Sequence, residues 1–182
     1  ICGVKLKNEG KLHHNTIVGT VMSNLGLKKA FEREGIRFIE AKVGDRYVLE
    51  EMKKGNYMFG GEQSGHLVFH QYNTTGDGLL SAIQLTDTLV ANNLALSELA
   101  KGMKKFPQLL VNVKVKDKRK WETDEKIQYA IEEETAKLNG NGRILVRASG
   151  TESLVRVMAE GEDFEQITST VSTLSKLIEQ HS

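Results

Sequence analysis

Pro107 is the only proline among 182 residues, and the hydrophobic pattern changes character across it. Upstream, "TIVGTVM" (16–22) is continuous and rich in β-branched residues, the pattern of a strand buried on both faces. Downstream, "QLLVNVKVKD" alternates, with Leu109, Val111, Val113 and Val115 on one face. That is the pattern of a half-exposed antiparallel strand. Proline lacks the N–H that a helix or ladder needs, and it restricts the residue before it. With Gly102 and the lysines of "ELAKGMKKFPQL" it marks a linker. The chain is read as two domains, 1–103 and 108–182.

In the first domain strand and helix signals alternate. Asn24 is placed to cap a helix that stops at Gly35, and "IRFIEA" reads as a second strand. "GDRYVLEEMKKG" reads as a turn, a helix and a Gly55 terminator. "NYMFGG" and "HLVFH" read as two further strands, and "LLSAIQLTDTLVANNL" as a long amphipathic helix. This order predicts an α/β three-layer domain with a mixed sheet. In the second domain the order is β-α-β-β-α, which predicts a small α+β domain, an antiparallel sheet with helices on one face. In its last helix Phe164, Ile167, Val171, Leu174 and Ile178 form one stripe. Asp163 and Gln166 have the spacing of a capping box.

Several function classes drop out on composition. Lys and Arg number 25 against 24 Asp and Glu, a net charge of +1, so no global field points to nucleic acid or membrane. No apolar run approaches the roughly 20 residues that span a bilayer. The single Cys2 excludes an intrachain disulfide and fits a reducing compartment, so a cytoplasmic location is expected. The opening "ICGVKLKNEGKL" lacks a signal-peptide pattern. Ile1 and Val4 read as the tail of an apolar helix face begun upstream, so a piece of a longer protein is expected. His13 and His14 are expected to point apart as a solvated pair with no third ligand. "KDKRKW" (116–121) reads as a charged surface loop rather than a nucleic-acid contact. Asp77 reads as a helix cap, and no metal site is expected.

Two polar turns carry the functional signal. "GGEQSGH" (60–66) lies between two strands. The Glu62 carboxylate can accept charge-assisted bonds from vicinal hydroxyls. Ser64 adds a second partner, and His66 is a group that titrates near neutrality. The competing reading is a hairpin loop with solvated polar residues. "RASGTES" (147–153) also joins two strands, with Arg156 just beyond. Small residues with glycine favour a backbone curl whose N–H groups converge on an anion. Ser149 and Thr151 add hydroxyls, and Arg147 adds a fork suited to phosphate oxygens. Here the competing reading is a serine-rich turn with arginines in surface salt bridges. Together the turns favour a phosphosugar ligand.

These two motifs, in this order and spacing, resemble the sugar- and phosphate-binding loops of the α-D-phosphohexomutases. The stretches "TVMSNLGL", "VGDRYVLEEM" and "TTGDGLLSA" most resemble the bacterial phosphoglucosamine mutase branch of that family. The resemblance spans essentially the whole chain and implies the third and fourth of four domains. It implies interconversion of hexosamine 6- and 1-phosphates through a hexosamine bisphosphate. That chemistry would use a phosphoserine in the first domain and Mg²⁺ held in the second, both outside this chain. Matched to the family motifs, Glu62, Ser64 and His66 would bind the sugar, with His66 a candidate aid to proton transfer. Gly44, Asp45 and Arg46 of the "VGDR" loop would contact substrate. Arg147, Ser149, Gly150, Thr151 and Arg156 would hold the phosphate that is not transferred. The partners implied are the phosphosugar and the N-terminal domains, and a homodimer of the full-length enzyme is admitted. Neither a phosphoserine loop nor a D-G-D-x-D-R metal loop occurs in the sequence, so this chain alone is expected to be inactive. Ser153 stands where the family loop usually has proline, which leaves that loop less preorganised. Two alternatives remain: another phosphohexomutase, or a free-standing phosphosugar-binding module.

Overall fold

Strand β1 (Thr16–Thr20) is buried at all five residues. The computed structural model, which describes residues 1–181, sets it inside a four-stranded mixed sheet of order β2-β1-β3-β4. β2 (Arg37–Ala41) and β3 (Phe59–Gly61) run parallel to β1 on either side, and β4 (Leu67–Phe69) is antiparallel to β3. These strands belong to a unit spanning Ile1–Lys105, and a second unit begins at Phe106.

Both sheet faces of the first unit are covered, which is why β1 tolerates no charge. Ile17, Phe59 and Phe69 share one cluster with Cys2 and Leu6 of α1 (Cys2–Asn8) and Phe31 of α2 (Leu25–Arg33). On the other face Val18, Ala41 and Val68 meet Val48 and Met52 of α3 (Asp45–Lys54). The helix that closes the first face is α4 (Gly78–Asn92), through the partly buried Leu80 and Leu85. The result is the three-layer α/β arrangement with a mixed sheet. Asn24 accepts a hydrogen bond from Gly26 N–H (3.0 Å) and Asp77 one from Leu80 N–H (3.0 Å), so both act as caps.

Some local expectations change. β1 ends at Thr20, and the strands around "GGEQSGH" shrink to three residues each. Pairing with β1 starts only at Phe59, after a turn in which Asn56 takes a positive φ of 49°. α4 is not the amphipathic helix its spacing predicts. Apolar residues surround it, and Leu79, Ile83 and Val90 are exposed while Thr88 is its buried residue. A short α5 (Leu96–Ala100) runs into the stretch read as a linker. His13 and His14 do not point apart. His14 takes a φ of 54°, which swings the two rings to a centroid distance of 3.9 Å.

The second unit is a three-stranded antiparallel sheet of order β5-β7-β6, built from β5 (Gln108–Lys114), β6 (Gly142–Ala148) and β7 (Leu154–Gly161). One face presents Val113, Val155, Val157 and Ala159. Against it pack Ile127 of α6 (Glu125–Lys137) and Ile167, Val171, Leu174 and Ile178 of α7 (Phe164–His181). Phe164, read as part of that stripe, is 56% exposed, because it lies at the first helical position and the stripe's edge. Only half of the capping box forms. Asp163 Oδ1 accepts from Glu165 and Gln166 N–H (2.8 and 3.1 Å), but the Gln166 side chain donates to Lys137 O (2.9 Å) instead.

Leu174 is fully buried in this cluster, so Leu174→Ala should cost about 2–5 kcal/mol in urea denaturation. At the other end of α7, His181 Nδ1 lies 3.1 Å from Asp124 Oδ2, while Asp124 Oδ1 caps α6. The His181 bond holds the Asp124 carboxyl below its ordinary value. A depressed carboxylate stabilises the fold above the ordinary Asp range, and the effect is lost as pH falls through the folded value. Asp124→Asn, which keeps a capping oxygen, should therefore lower the melting temperature near about pH 5, with the difference closing under stronger acid.

Candidate functional site

In a parallel sheet, ligands bind outside the carboxyl ends of the strands, where loops are free of ladder constraints. The "VGDR" loop leaves the carboxyl end of β2, and Glu62 directly follows β3. Gly44 joins the two. Its φ of 127° lies where L side chains are strained, and it is the N-cap residue of α3. From there its N–H donates to Glu62 Oε1 (2.9 Å), anchoring one carboxylate oxygen and leaving Oε2 outside that bond. The turn closes through Glu62 N–H to His66 O and Gly65 N–H to Glu62 O, both 3.0 Å, with Ser64 exposed at its tip. His66 Nε2 lies 3.5 Å from Asp45 Oδ2, an ion pair whenever the ring is protonated.

Four of the six residues expected to face a sugar are therefore linked to one another: Gly44, Asp45, Glu62 and His66. Ser64 sits beside them. The Arg46 side chain instead runs along α3 to Glu50 (2.8 Å) and is largely exposed. Gly76 was missed. The His66 ring lies directly over it, and a Cβ there would overlap ring atoms Cδ2 and Nε2. The only signal in the sequence was one more glycine in a polar loop.

The second turn joins β6 to β7. Side chains alternate along a strand, and Val146, Val155 and Val157 face the helices, so Arg147 and Arg156 point to the opposite face. The register places these two cations directly across from each other, an arrangement that costs stability. Both Nε atoms are buried without a hydrogen-bond partner. Burial first, and then the Arg156 charge, pull the Arg147 guanidinium below its ordinary pKa. The nearest opposing charge is Glu152, 3.9 Å from Arg156 Nη2. Ser149 N–H donates to Leu154 O (2.8 Å), and Ser149 Oγ accepts from Glu152 N–H (3.3 Å). Ser149 is thus buried and engaged in the turn, while Gly150 and Thr151 are exposed at its tip. Lys118 also belongs here. Its Nζ donates to Ser149 O (2.9 Å) and Gly150 O (3.3 Å), so part of the run read as a solvated loop braces the turn. Trp121 from the same run packs on the core.

Among the described residues no group of three metal-ligating side chains occurs. A cavity of about 350 Å³ in the first unit is lined by residues such as Val4, Leu27, Phe31, Leu99 and Met103. It is mostly apolar and includes none of the polar loop residues, so it does not suit a polyol.

Residues 1–106 match the family model for phosphoglucomutase/phosphomannomutase, alpha/beta/alpha domain III, and residues 110–176 match the model for the C-terminal domain. The chain belongs to this family. It is 58% identical over 180 residues to a phosphoglucosamine mutase of Bacillus pumilus, covering 99% of this chain and 40% of that protein. A phosphoglucosamine mutase of Alkaliphilus oremlandii is 56% identical over 182 residues, again with 40% of its length covered. The chain thus spans about two fifths of the curated relatives it matches. Among solved structures, N-acetylglucosamine-phosphate mutase in a product complex superposes with a TM-score of 0.78 at 21% identity, covering 97% of this chain and 43% of that one. The Aspergillus fumigatus N-acetylphosphoglucosamine mutase, solved with GlcNAc-6P and magnesium, gives 0.77 at 18% identity, covering 96% of this chain and 44% of its own. At such identities the likeness shows the shared fold.

The contact between His66 and Gly76 can be tested directly. Gly76→Ala should displace the exposed His66 ring, read as a shift of its imidazole NMR signals, while changing stability by no more than about 0.5–1 kcal/mol in urea denaturation. In a His66→Ala background the same substitution should leave stability unchanged.

Proposed function

We propose that this chain is the substrate-binding half of a phosphoglucosamine mutase, an isomerase of amino-sugar and cell-wall precursor synthesis acting in the cytoplasm. The whole enzyme would interconvert glucosamine 6-phosphate and glucosamine 1-phosphate. Glu62, Ser64 and His66, with the Gly44–Arg46 loop, are the sugar-binding residues in this reading. Arg147, Ser149, Gly150, Thr151 and Arg156 are the phosphate-binding ones. The first domain, 1–103, takes the hydroxyls, and the second, 108–182, takes the phosphate.

The observation that carries the reading is the facing pair Arg147 and Arg156, with both Nε atoms buried and unpartnered beside a Ser-Gly-Thr turn. A dianionic phosphate on that face would neutralise the repulsion and supply acceptors to both guanidinium groups. Each charge-assisted bond contributes about 1.5–3 kcal/mol. Glu62 supports the sugar half, because an anchored carboxylate with one oxygen held by Gly44 N–H loses little freedom on accepting hydroxyls. The choice of glucosamine over other hexoses is supported by relatives of 53–62% identity that carry the name phosphoglucosamine mutase.

Phosphoryl transfer itself depends on positioning and charge stabilisation around the moving group. The phosphoserine and Mg²⁺ implied for that step have no matching loops in this sequence. The 182-residue chain should accordingly show no mutase turnover with Mg²⁺ and glucosamine 6-phosphate. It should still bind phosphate, and Arg147→Ala should weaken both inorganic phosphate and glucosamine 6-phosphate binding by about tenfold or more, a loss of about 1.4 kcal/mol. Arg147→Lys should restore only part, because an ammonium cannot form the bidentate fork. Glu62→Ala should weaken the phosphosugar and spare inorganic phosphate. Calorimetric titration of each folded variant with both ligands reads these outcomes. An Arg147→Ala variant with unchanged phosphate affinity would overturn the assignment.

A further inference from the structure

α4 is apolar on its outward side as well as its inward one. The side that meets the first-unit core carries Leu80 and Leu85 but also the buried Thr88 and the half-buried Ser81 and Gln84. The side turned away from it carries Leu79, Ala82, Ile83, Thr86 and Val90, all exposed. Leu79, Ile83, Thr86 and Val90 follow the i, i+4, i+7, i+11 spacing of one continuous helical stripe. Leu79 and Val90 are 75% and 74% exposed, and Ile83 is 55% exposed. Exposed Leu94 and Leu96 continue the apolar run beyond the helix. Among the described residues, five of the twelve large exposed hydrophobics therefore fall within positions 79–96. Asp87 is the one charged residue of α4, and it is bound to Lys5 of α1. Solvated helix faces carry charge, whereas a helix apolar all round is one that is covered.

We propose that this outward face of α4 is an intramolecular docking surface for the polypeptide that precedes this stretch in the full-length protein. Three observations select that occupant. The stretch shared with the relatives is 37–40% of their length, and it corresponds to the family's third and C-terminal domains. The upstream chain joins at Ile1, the N-cap residue of α1, and α1 packs beside α4 through Lys5 and Asp87. A chain arriving there is already next to the stripe. The stripe itself is uncharged, and the exposed Asp87 at its border is already paired with Lys5, so a partner must bring apolar surface rather than complementary charge. A neighbouring domain of the same chain gains this burial without the translational cost that a separate molecule would bear. Docking on this face does not depend on the phosphate and sugar assignments.

The test places Ile83→Asp, and separately the milder Thr86→Lys, in two proteins: this 182-residue chain and the full-length enzyme. In the chain alone Thr86→Lys should melt with the wild type and Ile83→Asp only slightly below it, because both side chains are largely exposed and the new carboxylate lies one turn from Asp87. In the full-length enzyme Ile83→Asp should lower the melting temperature by at least about 3 °C. Cleavage between the upstream domains and this stretch in limited proteolysis should become faster, and Thr86→Lys should do the same to a smaller degree. Equal destabilisation in both proteins would mean that the face belongs to the core of the first unit. An unchanged full-length enzyme would mean that the stripe faces solvent. If sedimentation shows a dimer of the chain that Ile83→Asp dissolves, and the full-length enzyme is unaffected, the surface joins two copies instead. Each of these results overturns the proposal, and none of them involves ligand binding.

Discussion

Burial of β1 on both faces, with parallel neighbours on both edges, constrains the first unit more than any other feature. A strand so placed can carry no charge, and its hydrogen bonds leave no edge for a ligand. Helices must cover each face, and the polar chemistry is displaced to the loops at the strands' carboxyl ends. Those loops then lie close together because β2 and β3 flank the same central strand. The bond from Gly44 N–H to Glu62 follows from that, across 18 positions of sequence. Asp45 and His66 meet for the same reason.

The second unit works under a looser constraint. Helices cover one face of its sheet, so the other can hold polar rows. One row is satisfied: Glu160, fully buried, is bonded by Arg143 and by Gln108 (3.2 Å). The neighbouring polar row, Arg147 beside Arg156, is not. Like charges across a strand pair cost about 0.2–1 kcal/mol, and a buried unpaired polar group costs about 1–3 kcal/mol. Against a total stability of about 5–15 kcal/mol that is a large sum to leave in place. An anionic ligand held by both guanidinium groups would offset it, and so would an apolar side chain at either position, but only the former keeps the two forks. It is the cost that the phosphate proposed above would relieve.

Much of this was readable without coordinates, and for an identifiable reason. Continuous against alternating hydrophobicity separated the two sheets, because burial on two faces and burial on one leave different periods in the sequence. Asn24, Asp77 and Asp163 were readable as caps because a cap is a local interaction, settled within three residues. Glu62 and Arg147 stood out because their turns concentrate groups that a bare connection does not need. What the sequence could not show depends on which residues meet from afar. The Lys118 brace spans 31 positions, and the His66 ring over Gly76 depends on a loop returning to the sheet. The facing of Arg147 and Arg156 needs the β6–β7 register, since slipping a strand by one residue would send one of them to the helix face. The exposed apolar stripe of α4 was equally hidden, because helical spacing reports that a stripe exists and not which stripe meets the core. The sequence by itself determined the elements, their order and the chemistry of the two turns. Only the tertiary structure decided which side chains share a face, because pairing register and helix rotation are set by packing between elements distant in the chain.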